Sequence, residues 1–245
     1  MTSNKQPVTV TILEVGLVPE TLRDRFGSLP GMFQAMIRRQ DPSVIFKVVR
    51  VIEGESLPEP DDIESLLITG SSHGAYEEIS WKADLEDLIR AVYARHIPMV
   101  GVCFGHQIIA RAFGGEVRKA DQGWGLGRHV YDVRPGNGLF QQKCLAISCS
   151  HQDQVLEKPE NASTLLSSDF APYAGLLYDN GTTLTFQPHP EFEPEYAHAL
   201  CELREGIAPE DVIRKAKSSL NLPLDGDIVG QAITRVLKNK VAMAS

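Results

Sequence analysis

Lysine and arginine never gather into a run in this chain, and a net charge of −8 over 245 residues offers no basic footprint for nucleic acid or for an anionic membrane. Neither kind of partner is expected. Every apolar stretch is interrupted by charge or glycine well before it could span a bilayer. The start, MTSNKQPVTV, has no charged-then-apolar signal segment. Cysteine is scarce: Cys103, Cys144, Cys149 and Cys201 form neither CxxC pairs nor a metal-finger spacing. Reduced thiols and a cytoplasmic location are therefore expected. His73, His96, His106, His129 and His198 likewise lack metal-type spacing, and no metal or other cofactor is expected. Internal repeats and low-complexity segments are absent, and the length suits a single large α/β domain over 1–245.

What is present is a first half in which strands and helices alternate. Val8 to Val15, Val44 to Ile52, Ser65 to Thr69 and Met99 to Val102 read as buried strands. Gly31 to Arg39, Trp81 to Arg95 and Phe104 to Phe113 read as helices, the last closed by Gly114-Gly115, whereas Gly16 to Pro30 reads as loop. This alternation predicts a doubly wound, mostly parallel sheet. From Glu116 the pattern turns β-rich, with strands at Glu116 to Lys119, Gly127 to Arg134 and Cys144 to Ser150. A hairpin then joins Leu176 to Asp179 with Thr183 to Gln187 through Asn180-Gly181. Beyond Glu191 the chain becomes a helical extension (193–245), with helices at about Pro194 to Arg204, Pro209 to Lys217 and Asp225 to Val241. Ile228, Val229, Ala232, Ile233, Val236, Leu237 and Val241 share one face of the last.

The chemistry centres on Gly101-Val102-Cys103-Phe104-Gly105, where an apolar strand runs straight into a helix. Such a nucleophile elbow places its corner residue, Cys103, in a strained and exposed position, and the flanking glycines let neighbouring backbone approach. The helix N-terminus favours the thiolate that attacks carbonyl carbon. Far downstream, Gln187-Pro188-His189-Pro190-Glu191 supplies an imidazole and a carboxylate to orient it. GVCFGHQ followed by QPHPEF resembles the class I glutamine amidotransferase family. The resemblance implies a flavodoxin-like α/β fold and a Cys103-His189-Glu191 triad that cleaves a γ-glutamyl amide through a glutamyl thioester.

An oxyanion in that reaction needs fixed backbone donors. Phe104 N–H, first after the nucleophile, is one; the other is expected at Gly70 to Ser71, which match the family's glycine loop after the third strand. The resemblance further implies substrate-binding roles for Gln107, for Trp124 and Gly125 in a Trp-Gly stretch, and for His151 in Ser150-His151-Gln152-Asp153-Gln154-Val155. Because the helical tail is too short for an ATP-dependent domain, and because CFGHQ and TGSSHGAYE are similar to a stand-alone γ-glutamyl peptidase-like branch, the expected substrate is a γ-glutamyl peptide or glutathione conjugate. One alternative is a glutaminase subunit that supplies ammonia to a separate synthase partner; another is a catalytically silent regulatory or binding member.

Overall fold

Four of the five residues of the first strand, β1 (Thr9–Leu13), are buried, the burial pattern of a strand covered on both faces. The computed structural model describes residues 7–239. After β1 come α1 (Glu20–Phe26), α2 (Leu29–Gln40), β2 (Ile45–Val49), β3 (Ser65–Ile68), α3 (Lys82–Ala94), β4 (Met99–Val102) and α4 (Phe104–Ala112). The second half contributes β5 (Glu116–Lys119), β6 (Gly125–Val133), β7 (Cys144–His151), β8 (Asp153–Glu157), β9 (Ala162–Ser167), β10 (Gly175–Tyr178) and β11 (Thr183–Phe186). The helices α5 (Pro194–Leu203), α6 (Glu210–Ser219) and α7 (Gly226–Leu237) follow.

Nine strands form one sheet in the order β2-β1-β3-β4-β11-β10-β9-β6-β7, while β5 and β8 make a separate ribbon. From β2 to β11 all pairings are parallel; from β11 outward they are antiparallel. Along each strand the side chains alternate between two cores. Val10, Ile12, Leu67, Val100 and Val102 meet Phe33, Met36 and Ile37 of α2 and Val229, Ile233 and Val236 of α7. Leu13, Leu66, Ile68 and Met99 meet Leu85 and Ile89 of α3 and Ile108 and Ile109 of α4. The apolar stripe of α7 is therefore cover for the sheet, and Asp225 fastens its start to β7 by accepting from the Ala146 N–H at 2.8 Å. Val241 lies outside the described residues. Among the described residues no helix is long and apolar enough to cross a membrane.

Several expectations need correction. The charged stretch from Gly16 to Pro30 is not loop: it contains α1 and the first two residues of α2. α1 buries no residue fully, so it has no apolar stripe to read, although Leu22 and Phe26 lean on Val18 and Tyr196. For α2 the start signal was present, with the Ser28 hydroxyl accepting from the Gly31 N–H and a proline in the first turn. The second strand stops at Val49, and Val51–Glu53 winds into a 3-10 turn. β8 and β9 were not expected at all.

Candidate active site

β4 and β11 lie side by side and parallel, with Val102 opposite Phe186, so their carboxyl ends open at the same edge of the sheet. Cys103 follows one strand and Gln187 the other. The Cys103 N–H donates to the Phe186 carbonyl at 2.8 Å, which ties the elbow to the segment carrying the histidine. Cys103 has φ +54° and ψ −104°, a left-handed conformation that costs a non-glycine residue about 1–3 kcal/mol. The flanking glycines explain how the turn closes. A Cβ on Gly101 would sit 2.5 Å from the Gly105 carbonyl, and one on Gly105 would run into the carbonyl of Ile68.

His189 is buried, and its Nδ1 meets Glu191 Oε1 at 2.7 Å. Its ring lies flat on Phe192, with centroids 3.9 Å apart and planes within 5°. Its backbone N–H donates to Ser148 of β7 at 2.8 Å. Burial by itself would favour the neutral ring, yet the Glu191 carboxylate, hydrogen-bonded to it, and the nearby Cys103 sulfur raise its pKa to about 10. Carboxylate, imidazole and sulfur thus lie next to one another at this edge of the sheet.

Gly70 sits against both His189 and Cys103: a Cβ there would be 3.1 Å from His189 Cε1 and 3.6 Å from Cys103 Cβ. The Thr69 hydroxyl accepts from the Val15 N–H at 3.2 Å and donates to the Gly70 carbonyl at 3.1 Å. That carbonyl also faces Gly16, where a Cβ would lie 2.6 Å from the oxygen. In a trans peptide the N–H points opposite to the C=O, so this arrangement turns the Ser71 N–H away from Thr69 and Gly16. Phe104, the first residue of α4, carries one of the N–H groups that a helix cannot satisfy internally.

A cleft of about 250 Å³ opens above Cys103, walled by Ser71, Glu77, Gln107, Lys119, Trp124, His151, Asp153 and Arg204 among others. Gln107 donates from Nε2 to the Asp153 carbonyl at 2.9 Å and to the Gln187 side chain at 3.1 Å, fixing its place on the wall. Burial lowers the pKa of His151 to about 3, which keeps its ring neutral, and its Nδ1 lies 3.1 Å from the Asp153 carbonyl. Gly125 is not brought to the cleft. It lets β6 pack closely instead, since a Cβ there would be 2.5 Å from the Phe170 ring and 2.9 Å from Cys149 Sγ.

The sequence reading missed Gly16, Thr69, Phe192 and Arg204. Only Phe192, next to Glu191 in sequence, had a signal that could have been followed; the others depend on contacts between distant segments.

The profile of the class I glutamine amidotransferase family matches residues 46–201, which contain the elbow and the His-Pro-Glu segment. The chain belongs to this family. It is similar to γ-glutamyl peptidase 2 of Arabidopsis thaliana, 32% identical over 82% of this chain and 84% of the relative. It is also similar to γ-glutamyl peptidase 4 of the same plant, 38% identical over 58% of this chain and 60% of the relative. A glutamine amidotransferase of Thermotoga maritima of known crystal structure shares the fold, with a TM-score of 0.73 at 20% identity over 96% of this chain and 100% of that one. The chain therefore has the mixed α/β architecture that the resemblance implied.

Proposed function

We propose that the protein is a cysteine-dependent hydrolase of γ-glutamyl amide bonds, acting on γ-glutamyl peptides or glutathione conjugates. The observation that carries the reading is the left-handed Cys103 elbow joined across β4 and β11 to the buried His189–Glu191 pair. The relatives named γ-glutamyl peptidase support the substrate class. Cys103 Sγ attacks the γ-carbonyl carbon, and the oxyanion that forms is met by the N–H groups of Phe104 and Ser71. Collapse of this intermediate expels the amine, which takes a proton from His189, and leaves a glutamyl thioester. Water, deprotonated by His189, then attacks the thioester and releases glutamate. Glu191 holds the ring and stabilises its cationic form throughout. Glu77 and Asp153 in the cleft wall provide negative charge for the substrate's α-ammonium group.

Two observations weigh against an ammonia-supplying subunit that idles until a synthase docks. Thr69 already orients the Gly70–Ser71 peptide, and the apolar face of α7 is buried on the sheet rather than open to a partner. An intact triad weighs against a silent member.

The test uses the purified chain alone with a γ-glutamyl peptide and with glutamine. Free glutamate from the peptide is expected, at a higher kcat/KM than from glutamine, together with a glutamyl adduct on Cys103 in acid-quenched samples analysed by mass spectrometry. Glutaminase activity that appears only after a cellular fraction is added, with no peptide cleaved by the chain alone, would transfer the assignment to the subunit reading.

A further inference from the structure

Among the described residues Arg204 is the one arginine with a side-chain nitrogen buried and without a hydrogen-bond partner. Arg39, Arg90 and Arg111 each pair with a carboxylate. Among the described residues Arg204 pairs with none, and its Nε is buried without a hydrogen-bond partner. Its near neighbours in sequence do not serve it, because Glu202 and Glu205 are engaged by Lys217. The guanidinium instead lies over the Trp124 ring, 4.6 Å from the centroid. A half-buried cation without a counter-charge is costly, and burial lowers the Arg204 pKa accordingly. The stack on Trp124 holds the fork in one orientation, and both residues line the cleft that contains Cys103. Lys119, opposite Asp153 in the β5–β8 ribbon, adds a second positive charge to the same cleft.

We propose that Arg204, held by Trp124 and aided by Lys119, is a specificity-determining residue that binds a carboxylate on the leaving group, so that the preferred substrate is a γ-glutamyl amide of an amino acid or peptide with a free C-terminus. The inference rests on the γ-glutamyl reading above and narrows it. The choice of the leaving-group end follows from position in the chain. Whatever grips the glutamyl half is common to amidotransferases and peptidases and belongs to the shared region, whereas Arg204 lies beyond the matched residues 46–201, on the extension. A residue outside the shared part is free to read what differs between these enzymes, namely the group that departs, with Trp124 and Lys119 of the shared region supporting it across the cleft. Ammonia offers nothing for a guanidinium fork to hold; a carboxylate accepts two parallel N–H bonds from it.

The experiment compares S-methylglutathione with its C-terminal amide, in which only the leaving-group carboxylate is neutralised. Wild-type kcat/KM should favour the acid by about tenfold or more, the range for a charge-assisted hydrogen bond. In Arg204→Gln the preference should shrink to about twofold through the KM for the acid, and Arg204→Lys should restore part of it. Lys119→Gln should shrink the preference by less. Calorimetric binding of both ligands to Cys103→Ala protein gives the same comparison without turnover, so the charge preference is measured even if no γ-glutamyl bond is cleaved and the hydrolase reading falls. Equal handling of acid and amide by the wild-type protein would overturn the proposal. So would a proportional loss for both in Arg204→Gln, which would make Arg204 a packing strut for Trp124. A variant that instead loses preference against a substrate amidated at its glutamyl α-carboxylate would also overturn it, assigning Arg204 to the other end.

Discussion

Replacing Gly16 by alanine tests whether the loop carrying the Ser71 donor must sit where it does. The new Cβ would lie 2.5 Å from Ser71 Cα and 2.6 Å from the Gly70 oxygen, where ordinary contact begins at 3.4 Å. Backbone must therefore yield by about 0.9 Å, because no flexible side chain is available to move aside. Overpacking of this kind costs about 1–3 kcal/mol, which a domain stable by roughly 5–15 kcal/mol survives with a Tm lowered by some 2–12 °C. The effect on catalysis should be larger. An oxyanion donor works only within a few tenths of an ångström of its place, and losing one costs about 10²–10³ in kcat. The assay is kcat for a γ-glutamyl peptide at saturation alongside scanning calorimetry. Gly230→Ala serves as control, since its Cβ would meet the flexible Met36 side chain at 2.8 Å, far from the site in the α2–α7 interface. That variant should lose stability while keeping kcat within about twofold. A folded Gly16→Ala protein with near-normal kcat would show that the loop does not hold a working donor.

Other outcomes follow from the triad. Cys103→Ala and His189→Ala should each lower kcat by about 10³ or more, with the double variant scarcely worse, while Glu191→Gln retains a measurable fraction; multiplying losses in the double variant would mean the two do not act as a unit. His189 is raised to about 10, whereas an unfolded imidazole titrates near ~6.5, so its protonated form contributes stability that is full below about pH 6.5 and is lost as pH rises through the folded value. The Tm advantage of wild type over Glu191→Gln should accordingly shrink between those limits in calorimetric scans, and a constant gap would contradict the charge chain. Phe192→Leu removes the flat ring under His189 and should lower kcat several-fold, by an order of magnitude at most, with KM little changed; an unchanged kcat would leave the stack without a positioning role.

The elbow was legible in the sequence because its physics is local. Gly101, Cys103 and Gly105 occupy one turn, and the need for a left-handed corner with bare backbone on either side is written in adjacent residues. The alternating strands and helices of the parallel half, the Asn180-Gly181 hairpin and the striped α7 were legible for the same reason, since periodicity is a property of each segment alone. α1 was not, for a helix that buries no residue fully leaves no stripe to read. His189 and Glu191 could be named from their motif, but only the parallel pairing of β4 with β11 brings them to Cys103. The contacts of Gly16 with Ser71, of Thr69 with Gly70 and Val15, and of Arg204 with Trp124 were decided by tertiary structure alone. Each joins side chains or backbone whose meeting depends on how strands cross and where the extension folds back. A glycine required by a distant loop, or an arginine left unpaired over an indole ring, looks in sequence like any other glycine or arginine.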